Sequence, residues 1–251
     1  MKHLFDPEGR RALEAALRAQ PLLAFDFDGT LAPIVEHPDE VRVAVEVAER
    51  LDRLAQLRPV AVVTGRSVAD VARRLGFSPQ FIVGNHGAED PGRIVGLDGS
   101  GLDGLRARLS AQAGELQAAG IHVEDKRFSL ALHYRLAHDQ ALASARIEAL
   151  VAQLEPGLRT FGGKCVVNVV LADAPDKGDA VVSLVRRAGC SVAVFVGDDV
   201  NDEAVFARAL PDWVTARVGR GDAPSRAEFF LSGQSEVEML LDTMLGVLRP
   251  F

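Results

Sequence analysis

Asp26 and Asp28 stand two apart in Asp26-Phe27-Asp28-Gly29-Thr30, so their side chains project to one side of an extended backbone. Asp198, Asp199 and Asp202 form a second acidic group far along the chain. Taken alone, each group has an ordinary alternative, since Asp-Gly is a common turn pair and acids are favoured in the first turn of a helix. Brought to one place, two carboxylates ~4 Å apart repel by about 4 kcal/mol at an effective dielectric of about 20. A hard divalent cation removes that cost, and an all-oxygen donor set suits Mg²⁺ held by carboxylates and a phosphate. Thr64 adds a hydroxyl and neighbouring backbone N–H groups where an anion would sit. Lys177 opens a helical stretch, where the dipole disfavours a cation, so its charge points to a ligand. Either residue could equally be a plain surface group. No zinc pattern exists among the six histidines and two cysteines, and His122 and His133 read as surface strand residues.

The elements that must position these groups alternate along the chain. Pro21-Leu22-Leu23-Ala24-Phe25 is a near-continuous apolar run, as a buried parallel strand requires, and it delivers Asp26 and Asp28 at its end. Residues 41–57 carry apolar groups at helical spacing, and Pro59-Val60-Ala61-Val62-Val63 is a second buried strand ending in Thr64-Gly65-Arg66. Ser67 with Asp70 three residues on predicts a capping box and a helix over 68–75, stopped by a left-handed Gly76. A third strand, 81–83, ends in Gly84-Asn85-His86-Gly87. Turn residues then cluster and the rhythm breaks. A helix is predicted over about 102–119, half-exposed strands over 121–126 and 129–135, and a helix over about 138–154. Strands at 158–161 and 165–171 flank Gly162-Gly163, read as a hairpin turn. From Asp173 the first rhythm resumes: a helix over 178–188, the strand 192–196 ending in Gly197-Asp198-Asp199, a helix over about 202–210, strands at 213–218 and 229–231, and a helix over 237–248. The fold class is α/β, a Rossmann-like parallel-sheet core with an inserted small α+β domain. The expected domains are 1–98 with 174–251, and the insertion 99–173. In open parallel sheets ligands bind beyond the carboxyl ends of the strands, where these acids stand.

Composition sets the outer bounds. With 28 Lys+Arg against 35 Asp+Glu, a net charge of −7 and 48% hydrophobic residues, the chain reads as globular, and neither a nucleic-acid nor a membrane partner fits its acidic balance. Two cysteines suit a reducing compartment. No apolar run approaches the roughly 18 residues of a membrane span, and the first residues lack the basic start and apolar run of a signal peptide. A cytoplasmic monomer acting on a small molecule is expected.

The order Asp-x-Asp-Gly-Thr, strand-end Thr, Lys, Gly-Asp-Asp-x-x-Asp resembles the haloacid dehalogenase-like phosphohydrolases. Within them, the Asp26–Ile34 segment, Val63-Thr64-Gly65-Arg66-Ser67, Gly84-Asn85-His86-Gly87-Ala88-Glu89, Glu124-Asp125-Lys126, His133-Tyr134-Arg135, Gly163-Lys164 and Gly197-Asp198-Asp199-Val200-Asn201-Asp202-Glu203 are similar to the trehalose-6-phosphate phosphatases over nearly the whole chain. The resemblance implies that Asp26 is a nucleophile forming an aspartyl-phosphate and that Asp28 protonates the leaving alkoxide and then activates water. It implies Mg²⁺ on Asp26, the Asp28 carbonyl and Asp198, supported by Asp202, with Thr64 and Lys177 on the phosphoryl oxygens. The insertion becomes a cap, and Gly65, Arg66, Asn85, His86, Glu124, Lys126, Arg135, Lys164 and Asn168 become substrate-binding residues. Asn168 stands where the family pattern has a Glu, so an amide replaces a charged acceptor and other glycosyl phosphates, such as glucosylglycerol phosphate or mannosyl-phosphoglycerate, stay open as substrates. A phosphomutase or a non-catalytic sugar-phosphate sensor would share the same motifs.

Overall fold

The computed structural model describes residues 1–35, 40–92, 99–153, 156–163, 165–220 and 224–249. In chain order its elements are β1 (Lys2–His3), α1 (Pro7–Arg18), β2 (Leu22–Phe25), α2 (Val45–Ala55), β3 (Val60–Val63), α3 (Val68–Ala72), β4 (Phe81–Val83), α4 (Asp103–Ala111), α5 (Ala113–Ala118), β5 (His122–Asp125) and β6 (Ser129–His133). They continue with α6 (Gln140–Val151), β7 (Leu158–Gly163), β8 (Val166–Leu171), α7 (Lys177–Arg187), β9 (Ala193–Gly197), α8 (Glu203–Phe206), β10 (Val214–Val218), β11 (Phe229–Leu231) and α9 (Gln234–Leu248). Two compact units result, Met1–Pro91 with Pro175–Phe251, and Gly92–Ala174.

The first unit is a seven-stranded sheet in the order β1-β11-β10-β9-β2-β3-β4, parallel throughout. Its central strands β2, β3, β9 and β10 are buried at every residue, which explains their unbroken apolar runs. Helices α1, α2 and α9 pack together, as do α7 and α8, and their apolar faces join the strands in one core. The second unit is an antiparallel sheet, β5-β6-β8-β7. Leu130, Leu132 and Val169 on one sheet face share a separate core with Leu105, Leu109, Leu116, Ala143, Ile147 and Leu150 from α4, α5 and α6.

Several expected boundaries move. The helix foreseen over 102–119 breaks at Gln112, whose N–H is shared between Arg108 and Leu109, beside a Gly114 of poor helix propensity. Gly162 and Gly163 are not a turn; they pair with Val167 and Val166 as the end of β7, and the reversal falls after them, with Cys165 at φ 60°. Helix α3 stops at Ala72 rather than 75, although Gly76 does take the left-handed φ of 70°. Its capping box is only half made. Ser67 accepts from the Asp70 N–H at 3.2 Å, whereas the Asp70 carboxylate turns to Arg66 and Arg74. The helix foreseen over 202–210 shortens to α8 behind a 3-10 turn, Val200–Asp202. Among the described residues no helix is long and apolar enough to cross a membrane.

Candidate active site

β2 and β9 are neighbours, paired Phe25 to Val196, so the acids following them emerge side by side, and the Asp26 N–H donates to the Val196 carbonyl at 2.9 Å. Asp26, Asp198 and Asp202 each offer an oxygen within 4.8 Å of the others, and all three are buried. Two glycines make this approach possible. A Cβ on Gly29, which holds φ 79°, would lie 2.2 Å from Asp198 Oδ2, and one on Gly197 would lie 2.4 Å from the Asp202 carboxylate.

Lys177 is the first residue of α7, whose Asp176–Asp179 capping box fixes the helix start. Its side chain turns inward, 1% exposed, and Nζ lies 2.8 Å from Asp202 Oδ1 and 2.9 Å from Asp26 Oδ1. The unusual helix-start cation is therefore the counter-ion of buried acids. Asp202 Oδ2 also accepts from the Asp199 N–H at 2.9 Å, so both its oxygens are engaged in holding the lysine and the loop. Lys177 pairs with two of the three clustered carboxylates, and the electrostatics follow. Burial pushes the Asp26 carboxyl well above its usual range; Lys177 draws it down, and Asp202 and Asp198 push it up again. Burial likewise raises Asp202 against the pull of Lys177. Burial works against charge on Lys177, but Asp202 and Asp26 more than restore it, so the lysine is firmly protonated. The shortage of positive charge thus falls on the carboxylates, and an all-oxygen, buried, electron-rich donor set of this kind fits a hard divalent cation.

Thr64 ends β3, 1% exposed; its hydroxyl oxygen accepts from the Arg66 N–H at 3.1 Å and keeps its own proton to donate. The Gly84–Glu89 loop after β4 is stitched to it by His86 N–H to the Thr64 carbonyl (2.9 Å) and Asn85 N–H to the Arg66 carbonyl (2.8 Å). Gly65 is required here because a Cβ would stand 2.3 Å from the His86 ring. Asn85 and His86 are both left-handed, at φ 49° and 58°. Such consecutive conformations in non-glycine residues are costly and gather at functional loops.

A profile of the trehalose-phosphatase family matches residues 24–235. The chain belongs to that family. A trehalose-phosphate phosphatase of Mycobacterium tuberculosis is 32% identical over 266 residues, covering 97% of this chain and 66% of the relative, so the chain spans about 66% of that protein's length. A solved trehalose-6-phosphate phosphatase related protein is 26% identical with a TM-score of 0.73, covering 90% of this chain and 98% of that one. The C-terminal domain of Candida albicans trehalose-6-phosphate phosphatase superposes with a TM-score of 0.78 at 20% identity, over 95% of this chain and 96% of that one, and speaks to the fold alone.

Within this trehalose-phosphatase family member, the structure brings Asp26, Lys177, Asp198 and Asp202 together. Asp28 is met by Arg66, whose Nε and Nη2 donate to its two oxygens at 2.8 and 2.7 Å while the guanidinium lies over the Phe27 ring. Burial opposes the Arg66 charge, but its bonds to Asp28 and Asp70 keep it protonated. Arg66 and Asn85, expected on substrate, thus have structural partners here: Asn85 Nδ2 donates to Glu89 Oε2 at 2.7 Å, and the same oxygen accepts from the Val68 N–H at 2.9 Å. Glu89 and Asp70 were not foreseen as site residues; Glu89 lies inside a quoted motif, and Asp70 was hidden behind its capping pattern. In the second unit, Glu124, Ala131, Asn168 and Phe161 form one cross-strand row, on the sheet face opposite the apolar core. Glu124 Oε2 lies 3.0 Å from His133 Nε2 and 3.5 Å from Lys126 Nζ; burial opposes its ionisation, but these partners hold its carboxyl below the usual range. Asn168 is 3% exposed. Arg135 is exposed beyond β6, its carbonyl accepting from Gln140 Nε2. Lys164 lies outside the described residues.

Proposed function

We propose that the protein is a Mg²⁺-dependent phosphatase that hydrolyses trehalose 6-phosphate to trehalose and inorganic phosphate. The observation that carries this reading is the buried Asp26–Lys177–Asp202 cluster with Asp198 beside it, in a chain of the trehalose-phosphatase family. Asp26 attacks phosphorus as the P–O bond to the sugar breaks, and Asp28 gives its proton to the departing alkoxide oxygen. Asp28 then takes a proton from water, whose oxygen attacks the aspartyl-phosphate, and Asp26 is released with phosphate. Thr64 donates its hydroxyl and Lys177 its ammonium to the phosphoryl oxygens. Asp26, Asp198 and the Asp28 carbonyl would hold Mg²⁺, with Asp202 in support; the ion supplies neutralising charge to the phosphoryl group and the crowded acids. Glu124, Lys126, Arg135, Lys164 and Asn168 would bind the sugar from the second unit, acting as a cap over residues 99–173. A cytoplasmic, monomeric enzyme without nucleic-acid or membrane partners completes the reading.

The test is phosphate release with Mg²⁺ from a panel of glycosyl phosphates that includes trehalose 6-phosphate, run in ¹⁸O-labelled water. Label in the phosphate and loss of turnover in Asp26→Asn are expected. Undiminished turnover in that variant refutes the nucleophile, transfer of the phosphoryl group to a sugar indicates a mutase, and tight binding without turnover indicates a sensor.

A further inference from the structure

The charges do not end at Asp28. Arg66 passes its third contact, Nη1, to Asp70 Oδ2 at 2.9 Å. Asp70 stands on α3 and is gripped from its other side by Arg74, through Nε to Oδ2 at 2.9 Å and Nη2 to Oδ1 at 2.7 Å. Arg74 is 8% exposed, and its Nη1 reaches the Val41 carbonyl at 3.1 Å while its own carbonyl accepts from the Val43 N–H at 3.0 Å. The exposed Arg73, 3.3 Å from Asp70 Oδ1, adds little.

A guanidinium is a rigid planar fork, so whatever holds one edge sets the direction of the other. Asp28 sits 39% exposed at the end of that fork, in a loop whose turn carries no side-chain anchor for it other than Arg66 among the described residues. We infer that Asp70, locked by Arg74, is a positioning residue that orients Asp28 through Arg66. This rests on Asp28 acting as the proton donor proposed above. Burial opposes ionisation of Asp70, but the bonds from Arg74 and Arg66 hold its carboxyl down at about 2, so it stays a charged acceptor across the working range.

The leaving group separates positioning from mere support of the fold. A sugar alkoxide must receive the Asp28 proton as its P–O bond breaks, whereas p-nitrophenolate departs as a stable anion without one. Asp70→Asn, which keeps the shape, is expected to lower kcat/KM on trehalose 6-phosphate about 10- to 100-fold, a part of the usual acid-catalysis contribution, with kcat/KM on p-nitrophenyl phosphate reduced less than about threefold, because kcat/KM excludes the later water attack that Asp28 serves for both substrates. Arg66→Lys, which keeps the charge and loses the fork, should give the same selective loss, and the double variant should be no worse than Arg66→Lys alone. Arg73→Ala should change neither rate. Equal losses of kcat/KM on both substrates, no loss on either, or additive losses in the double variant overturn the inference. If Asp70→Asn does not fold, Arg66→Lys alone decides, through its ratio of the two kcat/KM values. A wild-type protein that releases phosphate from neither substrate refutes the proposed reaction itself, a result distinct from an unselective Asp70 variant.

Discussion

At the carboxyl ends of β2 and β9, Asp26, Asp202 and Lys177 are at most 4% exposed and joined at 2.8–2.9 Å, whereas on the antiparallel sheet Glu124 is 46% exposed on its side chain and Lys126 Nζ lies 3.5 Å away. The first set pairs charges out of water, where each depends on its partner; in the second, Glu124 keeps contact with water while Lys126 is 12% exposed, and the longer, screened pair is worth less. Groups that would hold one geometry in the proposed phosphoryl transfer are built into rigid strand ends, and groups that would meet a sugar stand on a sheet face that runs from the half-exposed Glu124 to the buried Asn168. Removing a residue from the two places should therefore produce different kinds of defect.

The largest effect is expected from Lys177→Met. It strands Asp26 and Asp202 as uncompensated buried carboxylates, so unfolding in urea should show a loss of about 3–5 kcal/mol, together with loss of turnover. Mg²⁺ should restore more stability to the variant than it adds to the wild type, because the ion then carries all of the neutralising charge. A variant as stable as the wild type without Mg²⁺ would show that the core cluster is not held by its lysine, and the contrast with the sheet would fall.

The cap face should respond in the opposite sense. Asn168→Ala removes one buried amide and leaves the paired backbone of β8 in place, so thermal stability should change by no more than about 1 kcal/mol. One lost hydrogen bond to a sugar hydroxyl, about 1 kcal/mol, should instead raise KM for the preferred glycosyl phosphate about fivefold with kcat nearly constant. A fall in kcat matching that of a core variant would erase the division between chemistry and recognition.

That division also sets what the sequence could reveal. The core acids were legible because a parallel strand buried on both faces reads as an apolar run, and the first polar residues after Phe25, Val63 and Val196 stand at the ligand-binding edge. Lys177 was conspicuous for its charge at a helix start, but only the fold shows that the charge faces Asp26 and Asp202. Asp70 escaped because Ser-x-x-Asp has two outcomes, a closed capping box or a free carboxylate; Arg66, Arg73 and Arg74, three or four residues from it along the chain, settle it by competing for the carboxylate. Gly162 and Gly163 misled for a related reason, since glycine tolerates both a turn and a paired strand, and register with Val167 and Val166 decides. The two-residue strand β1 is too short to leave a pattern.

A pH-dependent effect on stability, of no more than about 1 kcal/mol, is expected between the two extremes of burial, at Asp70. Its side chain is 24% exposed, and although burial opposes ionisation, Arg74 and Arg66 lower the carboxyl from the ordinary 3.8 to about 2. Between those values the unfolded chain binds the proton more readily than the folded one, so this pair contributes stability that is complete above about pH 4 and fades as the pH falls through about 2. Solvent screening of a group still open to water limits the contribution to about 1 kcal/mol. Other carboxylates titrate in the same window, so the measurement is the difference between wild-type and Asp70→Asn unfolding free energies, taken by urea titration from pH 7 down to the lowest pH at which both still fold. The gap should be constant near neutrality and begin to close below about pH 4. A gap that stays constant to the end, or widens, would show that the Asp70 network is held by packing rather than charge, and the gradation from buried core to wet sheet would lose its middle step.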